Sequence, residues 1–160
     1  MKKIVIAFFS ILAILFIARS CCILFGSHNL GGKFFLLEGD KLTDKVIVYS
    51  TRSFGCSYTG IPVIPADVVN PSIYVESAKS NRKWIIVRSE KIDQTENYWI
   101  VNKDFKLNLD NCAEMHCDSI IQSHVIGPLD LVAFNDKLKE LKINLKLKKR
   151  DLIHSTEEML

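Results

Sequence analysis

The chain opens with an apolar run from Ile4 to Ile17, broken only by Ser10 and preceded by Lys2 and Lys3. As a straight helix this run would rise about 21 Å, short of the roughly 30 Å hydrocarbon core of a bilayer. A short positive n-region before an apolar stretch of this size is the pattern of a secretory leader. Ala18 and Ser20, at −3 and −1 from Cys21, fit the small-residue rule for cleavage. Residues 1–20 therefore read as a signal peptide. The leader also explains the charge. The chain has 21 Lys and Arg against 18 Asp and Glu, and Lys2, Lys3 and Arg19 account for the excess. The rest is neutral, which argues against a strongly basic nucleic-acid binder.

Cys21, directly after a small residue, resembles the cysteine of a bacterial lipobox, which receives lipid on its sulfur. Lipidation at Cys21 would tether a soluble domain to the membrane. Two alternatives stay open: a plain cleaved leader, and an uncleaved anchor from Ile4 to Phe25 with Arg19 near its far end. All three place the domain outside the cytoplasmic membrane, and lipid on Cys21 would hold it in the cell envelope.

After the leader, residues 21–32 read as a lipidated tether with the small residues Gly26, Ser27, Asn29, Gly31 and Gly32, residues 33–150 as a single α+β domain, and residues 151–160 as a loose tail. Lys33–Glu38, Lys45–Ser50, Ser72–Ser77, Lys83–Ser89 and Asn97–Asn102 carry strand composition. In the last of these, Tyr98, Ile100 and Asn102 share one face and Trp99 and Val101 the other. Pro62 and Pro65 limit Ile61–Ala66 to an edge strand or a loop. Asn111–Gln122 suits a short helix that sends Ile120 and Ile121 to the core. Gly127-Pro128 is expected to open a C-terminal helix whose buried face is Leu131, Phe134, Leu138 and Leu141, with Asn144 at its end. Leu145–Lys149 alternates and reads as a last strand. The expected fold class is α+β: an antiparallel sheet of several strands with one C-terminal helix packed on a face, preceded by the N-terminal signal or anchor helix.

Candidate chemistry is sparse. Cys112 and Cys117 bracket Ala-Glu-Met-His and are close enough for a disulfide in an oxidising envelope. A metal site from Cys112, His116 and Cys117, with Cys56 or His124 as fourth ligand, is the sharper alternative. A Cys56/His124 nucleophile pair is the other. Neither has local support, and no metal is assigned. No GxSxG, HExxH or P-loop pattern occurs, so no catalytic residue is assigned either. Asp104 and Asp110 read as turn formers. Phe34, Tyr74, Trp84, Tyr98 and Trp99 read as core residues, with a ligand groove as the alternative. Residues 137–150 hold seven of the basic residues and one acid, Glu140. That stretch suits anionic headgroups, an acidic partner, or a solvated helix face and an edge strand guarded by lysines.

The leader with Cys21, the Leu30-Gly31-Gly32-Lys33-Phe34-Phe35-Leu36-Leu37 start, the Tyr98–Lys103 strand and the Gly127-Pro128-Leu129 segment together resemble small bacterial envelope lipoproteins. The resemblance implies a signal peptide, a lipid anchor and one compact domain, and it transfers no catalytic residue. The expected role is a non-enzymatic binding or interaction module without cofactor. It would be held to the membrane through its N-terminal lipid and would meet an envelope protein or a small ligand. The alternatives are an immunity-type inhibitor of an envelope-acting toxin and a Cys/His-based enzyme.

Overall fold

Ile85, Ile86 and Val87 follow one another without alternation. Successive strand side chains point to opposite faces, so such a strand needs cover on both sides. The computed structural model describes residues 26–51, 60–65, 73–112 and 116–148. Within them it provides both covers.

Two four-stranded antiparallel sheets follow one another along the chain, each a simple meander. The first contains β1 (Ser27–Gly31), β2 (Phe34–Leu37), β3 (Val46–Ser50) and β4 (Gly60–Ile64). The second contains β5 (Ile73–Ser80), β6 (Trp84–Lys91), β7 (Glu96–Asn102) and β8 (Val125–Leu129). A short helix α1 (Cys117–Ser123) precedes β8, and α2 (Leu131–Glu140) follows it. The fold is α+β and made mostly of strands.

One face of the second sheet presents Val75, Ile85, Val87 and Val101 to Phe34, Ile47, Tyr49, Val63 and Ile64 of the first sheet. Ile121 of α1 enters the same core. The opposite face presents Ile86, Tyr98 and Ile100 to Phe134 of α2 and to Ile143 beyond it. The layer order is thus first sheet, second sheet, then α2 with the segment that follows it. Ile85, Ile86 and Val87 are all fully buried. The polar half of β6 is buried with partners. Arg88 donates to Glu76, Tyr74 Oη donates to Glu90 Oε2 at 3.0 Å, and Trp99 Nε1 donates to Ser89 Oγ at 2.7 Å.

Several expectations need correction. The strand residues divide between two sheets, not one, because β6 is covered by strands on one side and by α2 on the other. Most of the small residues expected as tether lie in β1, which pairs with β2 across the Gly32-Lys33 turn. Gly127-Pro128 lies inside β8 and does not open the helix. β8 is an edge strand, where a proline costs no ladder bond. Gly127 has φ +139°, and a Cβ there would stand 2.8 Å from Trp99 Cε3. The helix starts three residues later than expected of Pro128, at Leu131, after the Asp130 cap. Leu131 is not on the buried face: it is 53% exposed. The helix ends at Glu140, before Asn144, and Leu145–Lys148 is not paired as a strand. α1 begins at Cys117 and buries Ile121 more fully than Ile120, while residues 113–115 of the helix expected from Asn111 lie outside the described residues. The two faces of β7 divide as expected, with Tyr98 and Ile100 on one and Trp99 and Val101 on the other.

Ile100 is fully buried beneath α2. Truncation to alanine removes its buried methyl groups and leaves a cavity. The Ile100→Ala variant is expected to lose about 2–5 kcal/mol in denaturant unfolding. A loss under about 1 kcal/mol would mean that α2 does not pack on this face.

Candidate functional site

A concave site is made by what covers the second sheet's outer face. Asp130 caps α2, its Oδ1 accepting from Ala133 N at 2.8 Å. At the other end, Ile143 N donates to Leu138 O at 2.9 Å and Lys142 N to Lys139 O at 3.1 Å. With Lys142 at φ +54°, these bonds form a Schellman turn. The turn sends residues 143–148 back alongside α2. Exposure alternates along them: Ile143, Leu145 and Leu147 face inward and Asn144, Lys146 and Lys148 face solvent. The groove between helix and segment has a volume of about 970 Å³. Phe134, Leu138, Leu145, Leu147 and Tyr98 form its apolar floor, and Lys139, Lys142, Lys146 and Lys148 its rim.

Part of the charge is already matched. Lys137 pairs with Glu140 at 2.8 Å and Lys139 with Asp136 at 3.0 Å. Lys142, Lys146 and Lys148 have no ion pair among the described residues. Beneath the floor, burial works against the Arg88 charge, but Glu76 outweighs it and holds the guanidinium above its ordinary pKa. Tyr98 Oη donates to Glu96 Oε2 at 2.6 Å. Burial, then Glu96, holds this phenol protonated above its usual range. Exposed ion pairs contribute about 0–1 kcal/mol each, whereas full burial of one large apolar side chain contributes about 1.5–3 kcal/mol. Affinity at such a groove comes from the floor, and the lysines supply selectivity.

The other sequence-derived candidates are dispersed. Cys112 and Cys117 form a disulfide, so neither supplies a thiolate in this state. His116, at φ +47°, stands just before α1. His124 stacks on Phe105 with centroids 4.3 Å apart, and its carbonyl accepts from Asn102 N. No cluster of three or more His, Cys, Asp or Glu capable of holding a metal occurs among the described residues. Cys21, Cys22 and Cys56 lie outside the described residues. Asp104 follows β7 and Asp110 lies in the short 3-10 helix Leu109–Asn111, each backbone N–H donating to the asparagine side chain two residues before it. The aromatic residues do not share one groove. Phe34 and Trp99 join the inter-sheet core, while Tyr98 and Trp84 lie on the α2 side. Of that set only Tyr98 reaches the groove floor.

A smaller cavity of about 450 Å³ lies between the β1–β2 and β5–β6 turns, lined by Gly31, Asn81, Arg82 and Lys103. Lys103 Nζ donates to Leu30 O at 2.7 Å, and burial lowers its pKa. The groove's floor residues Leu145 and Leu147 were readable as an alternating segment. Their place beside α2 was not, because nothing local in the sequence shows that the segment stays unpaired. Comparison with family models, curated proteins and solved structures finds no match for this chain.

Two outcomes follow from this geometry. Lys142 occupies a left-handed position that costs a non-glycine residue about 1–2 kcal/mol, partly offset by the greater unfolded-state freedom of glycine. Lys142→Gly is expected to raise unfolding stability by up to about 1 kcal/mol, and a loss would contradict the turn. The second outcome is alkaline. Burial raises the pKa of Tyr49 and of Tyr98 above 10.0, so the unfolded state loses these protons first and stability falls as pH rises past 10.0. Lys103 acts oppositely: its folded pKa lies below 10.5, so its contribution grows with pH up to about that value. Denaturation midpoints should therefore decline above pH 10.5, where Lys103 no longer offsets the two tyrosines. A flat profile there would mean the phenols are not buried.

Proposed function

We propose that this protein is a lipid-tethered, non-enzymatic binding module of the bacterial cell envelope. The observation that carries the binding role is the apolar groove beside α2, rimmed by Lys142, Lys146 and Lys148, which have no ion pair among the described residues. Ligand sites are typically concavities of this size, mostly apolar with a few polar groups. The envelope location rests on the apolar run from Ile4 to Ile17 and on Cys21 after Ser20, read as an N-terminal signal helix followed by a lipid-bearing cysteine.

The layer order is consistent with this role. β1 begins at Ser27 in the first sheet, and α2 lies on the far side of the second. A chain held near Cys21 would enter the domain through the layer farthest from the groove. The groove would then stand clear of the anchor and open to a ligand.

Intact mass of the protein from the membrane fraction, beside that of a Cys21→Ser variant, tests the tether. The expected mass is that of residues 21–160 plus acyl groups, with the acyl mass lost in the variant. An uncleaved mass, or a cleaved mass without lipid, would overturn lipid tethering.

A further inference from the structure

The segment after α2 offers a backbone edge as well as an apolar wall. Residues 143–148 alternate inward and outward as an extended chain does. Among the described residues, none exchanges a backbone hydrogen bond with Asn144–Lys148, although the segment lies along the groove. An unpaired extended edge is a template for another strand. Lysines on such an edge discourage self-pairing, since a second copy would set cation against cation. The same charges attract acids. Lys142 adds to this rim from a left-handed turn position where glycine would sit without strain. Strain retained at a concave site points toward function.

We propose that the groove binds an extended acidic peptide, which adds as a strand to the Asn144–Lys148 edge. This rests on the reading of the groove as the binding site. Alternate apolar side chains of the peptide would settle on Phe134 and Leu138, and its carboxylates would rise between them toward Lys142, Lys146 and Lys148. Backbone bonds supply affinity in strand addition, and alternate side chains supply selectivity. At about 3.3 Å per residue, a peptide of about five residues matches the length of the edge.

The test uses the full chain in zwitterionic lipid nanodiscs and a fluorescent peptide of alternating Glu and Val. One control replaces Glu by Lys. A second keeps every side chain but carries N-methyl groups on alternate amides, which removes the strand donors. The Glu-Val peptide is expected to bind and the Lys-Val peptide to fail. Reversing the rim with Lys142→Glu, Lys146→Glu and Lys148→Glu should weaken binding at least about tenfold, and added salt should weaken it too. N-methylation should also cost at least about tenfold, because several backbone bonds are lost. These lysines are exposed, and an unchanged circular dichroism spectrum would show that the reversed chain folds. Equal binding of the N-methylated peptide, or indifference to charge reversal, would overturn strand addition. So would binding that appears only after residues 151–160 are removed, since that acidic segment would then be the occupant. An apolar fluorescent dye separates the two readings. Dye binding that Leu145→Glu abolishes, without peptide binding, overturns strand addition and leaves the groove a binding site. Failure of both probes overturns the groove reading as well.

Discussion

Burial of β6 on both faces is the constraint on which the rest of this fold depends. Ile85 and Val87 require one apolar layer and Ile86 requires another, and the chain supplies them from opposite ends. The strands before β5 build the first layer. The helix and extended segment after β8 build the second. Each fully buried side chain of this size contributes about 1.5–3 kcal/mol, so leaving either face bare would remove several such contributions at once. The order of the elements along the chain follows from this: first cover, covered sheet, second cover.

The second cover is the thinner of the two, and the groove exists for that reason. Phe134 is the one buried residue of α2. Leu131 and Val132 are exposed, and Leu138 is only partly buried. A helix with so narrow an apolar stripe cannot roof the whole face of a four-stranded sheet. The Schellman turn at Lys142 brings Leu145 and Leu147 back to roof more of it, and an apolar concavity is left between the two elements. The lysines at alternate positions keep this margin hydrated. Deeper in the sheet the polar groups of β6 are matched in place, with Arg88 against Glu76, whereas Lys142, Lys146 and Lys148 at the rim are not paired among the described residues.

Local composition made the strands legible. The alternating and β-branched runs from Lys45, Lys83 and Asn97 lie close to β3, β6 and β7, and the two faces of β7 were readable from period two alone. The α+β class was readable as well. The division into two sheets was not, although the unbroken Ile85-Ile86-Val87 run carried the signal that both faces of that strand are covered. Gly127-Pro128 misled because the pair suits a helix entry, and only the Trp99 ring lying against Gly127 shows why glycine belongs in β8. Leu131 fitted the helical spacing but falls in the first turn, ahead of the sheet contact. Of the candidate site, the lysine block was visible as charge. The groove was not, because it depends on a reversal at Lys142, where the sequence offers no glycine to announce a turn.

The double cover of β6 is tested most directly by native-state amide exchange of the full chain. The account predicts that the amides of Ile85 to Glu90 exchange slowest, near the limit set by global unfolding, and that amides on the edge strands β4 and β8 exchange faster. Exchange in β6 as fast as in those edge strands would contradict the arrangement from which the second cover and its groove both follow.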